Sequence, residues 1–93
     1  MGTINPVEEY VRVIRAKAPN AIIVVDGVAL AAHRMVDVQE IGADFYVYSN
    51  YKAYGPHIAA LYGKREAFEA LHGINHFYVL GKSPNKEKLF TIQ

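Results

Sequence analysis

Apolar residues recur at helical spacing over the first part of the chain. Val7, Tyr10, Val11 and Ile14 share one face, with Glu9, Arg12 and Arg15 mostly between them, the period of an amphipathic helix. Asn5 can cap its start, Pro6 suits the first helical position and Glu8 can reach back to the cap. Pro19-Asn20 ends it. The pattern then changes. Ala21 to Val25 is an unbroken, β-branched run closed by Asp26-Gly27. Continuity without alternation predicts a strand covered on both faces, as in a parallel sheet. A hairpin turn at Asp26-Gly27 into Val28-Ala29-Leu30 is the competing reading, but Val28 to Ala32 is alanine-rich and makes a weak return strand.

A short helix is predicted over Asp37 to Gly42, capped by Asp37 and stopped by Gly42. Asp44 to Ser49 reads as a second strand. Strand, helix, strand implies a crossover, and a crossover makes the two strands parallel. Asp26 and Ser49 then reach the same edge of the sheet. Gly55-Pro56 breaks the chain, His57 to Tyr62 reads as a third strand and Gly63 closes it. Lys64 to Leu71 is a further amphipathic helix with Phe68 and Leu71 inward, ended by His72-Gly73. Two short β-like runs follow, His76 to Leu80 and Leu89 to Gln93.

Composition narrows the class. The 93 residues suit one domain or part of one, and 52% apolar with 20% charged residues is globular, not disordered. The net charge is only +1. The one loose basic cluster, Lys82, Lys86 and Lys88, flanks a Ser-Pro-Asn turn. No basic stripe interleaved with aromatics suggests a nucleic-acid partner. Cysteine is absent, so disulfides, a cysteine zinc site and a cysteine nucleophile are excluded within this chain, which fits the cytosol. No apolar run approaches the length of a membrane span, and no charged segment with an apolar core opens the chain. Met1-Gly2 begins like a myristoylation site, but Pro6 stands where Ser or Thr is needed.

The chemistry gathers at the predicted strand ends. An open α/β sheet builds its ligand site at the carboxyl edge of its strands, and Asp26, Ser49 and Lys52 all fall there. Pyridoxal phosphate chemistry asks for three such groups. A lysine amine holds the cofactor aldehyde as a Schiff base, an acid keeps the pyridine nitrogen protonated, and hydroxyl and N–H donors bind the phosphate. A lysine amine in water is protonated near neutral pH, so a reactive Lys52 asks for partial burial or a cationic neighbour. Each residue also has a plainer reading: Lys52 as a loop lysine, Asp26 as the cap of the next turn, Ser49 as a turn serine. Tyr46, Tyr48 and Tyr62 read as strand-face packing, Tyr51 and Tyr54 as polar-tipped walls of a pocket. His72 and His76 are interrupted by Gly73 and lack a third ligand, which argues against a metal site.

Val25-Asp26-Gly27, His33, Val36-Asp37-Val38-Gln39, Gly42-Ala43-Asp44-Phe45, Ser49-x-x-Lys52 and Tyr54-Gly55-Pro56 occur in this order. From about Thr3 to Leu71 the chain resembles the central part of class V aminotransferase-like, fold type I pyridoxal phosphate proteins, and within them the cysteine desulfurases and selenocysteine lyases. The resemblance implies a three-layer αβα fold, with residues 1–93 as one segment of its large domain and of its mostly parallel sheet. The strand His57 to Tyr62 is then the antiparallel member. It also implies pyridoxal 5'-phosphate as cofactor and a small amino acid as substrate. In the full-length family it implies a homodimer. By the same resemblance Lys52 is the Schiff-base lysine, Asp26 pairs with the pyridinium nitrogen and Ser49 binds phosphate. Tyr51 and His33 join them as cofactor-side residues, and His57 could face the pocket.

Two positions depart from the family pattern. Desulfurases usually carry His just before the lysine, where Tyr51 stands here; its phenol can donate to phosphate but is not cationic near neutral pH. They usually carry Gln three residues after the aspartate, where Ala29 stands. The persulfide-forming cysteine, the N-terminal phosphate loop, the residue stacking on the ring and the carboxylate-binding arginine are not in this stretch. The expectation is therefore an excerpt or truncated form of a longer enzyme, with a non-catalytic α/β remnant as the alternative.

Overall fold

The computed structural model describes residues 2–71. Helix α1 spans Val7–Lys17, with Glu8 and Glu9 in its first turn and Arg15 and Lys17 in its last, charges that complement the helix dipole. Its start differs from the expected cap. Pro6 itself holds the capping position, no side chain caps the helix, and Asn5 contributes its backbone carbonyl to the Val7 N–H at 2.9 Å. The proline brings its fixed φ and one donor fewer to satisfy at this end, and the Val7 N–H is met by the Asn5 backbone instead of an Asn5 side-chain cap.

Strand β1 spans Val24–Asp26, later and shorter than the apolar run suggests. The reason lies in its first residues. Ala21 gives its carbonyl to Arg15, and the Ile23 N–H goes to the Asp44 carboxylate at 2.7 Å. The ladder proper begins one residue on. Residues 28–33 form a turn, with Leu30 and Ala31 N–H both donating to the Gly27 carbonyl; the hairpin alternative is not adopted. Helix α2, Val38–Ile41, follows the sequence closely. The Asp37 carboxylate accepts from the Gln39 and Glu40 N–H groups at 2.8 and 3.1 Å, and Gly42 stops the helix at a φ of 73°, which glycine adopts without steric cost.

Strand β2, Phe45–Ser49, lies between β1 and strand β3, Ala59–Gly63. β1 pairs with it in parallel and β3 antiparallel, a small mixed sheet in an α/β arrangement. Helix α3, Arg65–Glu69, is shorter than predicted. Phe68 meets Phe45 edge to face, with centroids 5.2 Å apart, whereas Leu71 is exposed rather than inward. The runs 76–80 and 89–93, His72, His76 and the lysines at 82, 86 and 88 lie outside the described residues.

The core sits on one sheet face. Val11 of α1 and Ile41 of α2 pack with Ile23, Ala43 and Tyr46, each such burial contributing on the order of 1.5–3 kcal/mol. Tyr10 and Ile14, read as inward, are exposed: α1 touches the sheet through the single line of Val7 and Val11. The other face carries Ile22, Val24, Phe45 and Leu61 by strand alternation. There Ile22 is 66%, Val24 61% and Leu61 49% exposed. The expectation of a strand covered on both faces is thus met on one face only among the described residues. No helix among them is long and apolar enough to cross a membrane.

Candidate functional site

The parallel register sets Asp26 opposite Val47, and Ser49 follows Val47 by two residues. With the rise and spacing of a sheet, the Cα atoms of Asp26 and Ser49 stand about 8 Å apart at its carboxyl edge. Strand alternation turns Asp26, Val47 and Ser49 to the same face, the one that α1 and α2 leave open.

Each group retains capacity to bind. One Asp26 oxygen, Oδ1, accepts from the Val28 N–H at 3.0 Å. The plainer reading of Asp26 as a turn cap therefore holds, and the second oxygen has no hydrogen-bond partner among the described residues. Ser49 precedes a 3-10 turn, Asn50–Ala53, and its side chain does not cap it. Its half-buried hydroxyl remains available.

Lys52 rides on this turn, one residue after Tyr51. The turn is tied down at both ends: the Asn50 N–H donates to the Ile58 carbonyl at 2.9 Å, and the Gly55 N–H to the Asn50 carbonyl at 2.7 Å. Tyr54 closes it in the left-handed region, φ 60°, a conformation a bulky residue seldom takes. Tyr51 lies against His57 with ring centroids 4.2 Å apart. Lys52 itself is exposed, so the described residues do not supply the burial expected of a reactive amine. Tyr54, read as a pocket wall, stands fully in solvent. His33 ends the turn after β1 and is exposed.

The structure thus brings Asp26 and Ser49 together on one face, with Lys52 one short turn beyond. A carboxylate with a free oxygen, an uncommitted hydroxyl and an amine form a donor set that fits pyridoxal phosphate. Among the described residues no group of three His, Asp or Glu could hold a metal ion.

Sequence reading missed a second constellation at the opposite end of the sheet. The Asp44 carboxylate accepts from Arg15 Nη2 at 2.5 Å and from the Ile23 N–H, and Lys64 Nζ stands 4.0 Å away while donating to the Gly42 carbonyl. The Arg15 hydrogen bond holds the Asp44 carboxyl below its ordinary range despite partial burial, helped by the Ile23 N–H and the nearby charges. No local pattern marks this group, whose members come from three distant segments. An open groove of about 740 Å³ lies beside it, lined by Glu8, Val11, Arg15, Glu40 and Lys64 among others. None of Asp26, Ser49 or Lys52 lines that groove. Its bases are engaged, Arg12 by Glu9, Arg15 by Asp44 and Lys64 by Asp44 and the Gly42 carbonyl, whereas Asp26, Ser49 and Lys52 keep uncommitted polar groups at the strand edge.

An α/β sheet with an acid, a hydroxyl and a lysine at its carboxyl edge has polar groups where such sheets build ligand sites. The family model for aminotransferase class-V matches residues 1–88, and the chain belongs to that family. The aminotransferase-like protein FGM3 of Gibberella zeae is 49% identical over 78 residues, 84% of this chain and 19% of its own length. The cysteine desulfurase-like protein ustD of Aspergillus flavus is 43% identical over 84 residues, 89% of this chain and 19% of its own. A cysteine desulfurase of Pectobacterium atrosepticum is 43% identical over 72 residues, 76% of this chain and 17% of its own. The chain therefore spans under a fifth of the length of these three relatives.

Proposed function

We propose that this chain is the segment of a pyridoxal phosphate enzyme, of the cysteine desulfurase-like kind, that carries the lysine and the aspartate of the cofactor site. The observation that carries the reading is the shared open face of Asp26 and Ser49, with Lys52 one turn further on. When bound, pyridoxal phosphate supplies an electron sink for bonds broken at the α-carbon of an amino acid.

The chain's own residues have distinct tasks. Asp26, through the oxygen that Val28 leaves free, holds a proton at the pyridine nitrogen. Ser49 donates its hydroxyl to the phosphate, and Tyr51 offers a phenolic donor where a histidine is usual. Lys52 would hold the cofactor through its aldehyde, and its amine would take and return a proton at the substrate α-carbon. His33, on the turn after Asp26, belongs to the cofactor side in this reading. A small amino acid as substrate, a cytosolic location, a homodimer and a three-layer large domain around this sheet belong to the same proposal. Family membership supports the last of these.

A second reading rests on the exposed apolar face of the sheet and on the solvent-exposed Lys52. In it the chain is a non-catalytic α/β piece that folds against a partner. One experiment separates the two. The protein is mixed with pyridoxal phosphate, its visible spectrum recorded and the mixture reduced with borohydride. A yellow band and a single stable label on Lys52, both lost in Lys52→Ala, are expected. Label spread over surface lysines, with Lys52→Ala unchanged, would favour the second reading.

A further inference from the structure

The proposed role of Asp26 asks for a carboxylate held in one place, and β1 alone offers little to hold it. β1 has three residues, lies at the edge of the sheet among the described residues and exposes both Val24 and Asp26. Two hydrogen bonds fix the backbone around the acid, from the Gly27 N–H to the Val47 carbonyl at 2.8 Å and from the Val28 N–H to Asp26 Oδ1 at 3.0 Å.

Directly beneath Gly27 stands the tip of Tyr46. Tyr46 is 3% exposed and, by register with Val25, points to the sheet face opposite Asp26. A Cβ built on Gly27 would fall on the Tyr46 hydroxyl and on Cζ of its ring, closer than real contacts come. The backbone after Asp26 therefore rests on the phenol. The hydroxyl is buried without a hydrogen-bond partner among the described residues, which is costly for a polar group. No bond draws this side chain to its place; the ring's packing does. Burial, with a contribution from the Asp26 charge, raises the Tyr46 ionisation above its ordinary value, so the phenol stays neutral beside the acid.

We propose that Tyr46 is the positioning residue of Asp26, its ring supporting Gly27 from the buried side and so fixing the carboxylate at the sheet edge. The role rests on the reading of Asp26 as the partner of the pyridine nitrogen. It couples two positions by size: with tyrosine at 46, position 27 accepts only glycine.

The test uses the full chain, with amide hydrogen exchange read at Gly27 and Val28, and at Gln39 and Glu40 in α2 as references. Pyridoxal phosphate affinity and the pH midpoint of its visible band are read on the same samples. Tyr46→Leu should speed exchange at Gly27 and Val28 about tenfold, leave the references unchanged and weaken cofactor binding about tenfold. The band's midpoint should shift with it. Tyr46→Phe, which keeps the ring, should match the wild type. Gly27→Ala should resemble Tyr46→Leu, and the size-swapped pair Gly27→Ala/Tyr46→Val should recover part of the loss. Should Tyr46→Leu unfold the chain, the swapped pair decides: no gain over Gly27→Ala overturns the proposal. Equal acceleration at all four amides, Tyr46→Phe as harmful as Tyr46→Leu, or cofactor binding unmoved by Tyr46→Leu each overturn it too. A wild-type chain that takes no pyridoxal phosphate would end the functional reading and this role with it, leaving local exchange to report a packing contact alone.

Discussion

At the residue scale, Asp44 joins three segments through one carboxylate: α1 by Arg15, the entry to β1 by the Ile23 N–H, and the approach to α3 by Lys64. Removing it leaves the Ile23 N–H and the Nη2 arm of Arg15 without their acceptor. Asp44→Ala should cost about 1–3 kcal/mol, read from urea midpoints. The pH dependence has a definite sign. The folded state holds Asp44 below its ordinary value of 3.8, so the unfolded chain binds the proton more readily. Its contribution is complete above the unfolded value and is lost as pH falls through the lower folded one. The wild type should gain stability as pH rises through this acid range, and Asp44→Asn should lack that part of the slope. An Asp44 variant with an unchanged acid profile would argue against the clasp. Neither Asp44 nor Tyr46 was legible as a special residue from the chain, because their partners lie far off in sequence. The places of Asp26 and Ser49 in the fold were legible because strand ends are marked locally, by a polar residue after an apolar run.

At the element scale, α2 was read almost to the residue, since its cap and its stop are both contained within six positions. β1 was misplaced because its first residue is set by a side chain from another segment, which no local pattern records. The third strand and α3 were placed correctly in order but not in extent. Gly63 shows how these two elements share space: a Cβ there would stand 2.7 Å from the Phe45 ring and closer still to Phe68. Gly63→Ala must therefore separate the aromatic pair or shift β3. The expected loss is about 1–3 kcal/mol, as for other overpacked sites, with a change in near-ultraviolet circular dichroism. An alanine variant with the wild-type spectrum and midpoint would mean that the Phe45–Phe68 contact is not made.

At the scale of the whole molecule, the sheet has one packed face and one covered only near Phe45, by Phe68 of α3. Ile22 and Val24 stand two residues apart at one side of that face and Leu61 lies across β2 from them, exposed apolar surface of a kind that usually meets another surface. The isolated chain should bind an apolar dye and associate with rising concentration. Val24→Lys with Leu61→Lys should reduce both, measured by dye fluorescence and sedimentation. Dye binding unaffected by the two lysines would place the apolar surface elsewhere. The run Ala21 to Val25 announced a strand, but its continuity said only that both faces are apolar, not that both are covered by these residues. The clasp at Asp44 has one more outcome, which concerns tolerance to insertion and deletion. It pins one end of β2, so the side of the sheet on which Ser49 emerges is decided by odd or even count from that pin. Deleting a single residue between Asp44 and Ser49 should turn the serine to the packed side and abolish the proposed cofactor capture, whereas deleting the fully exposed Met35, in the loop before α2, should be far milder. In such a chain, length is heritable information in one stretch and nearly free in its neighbour.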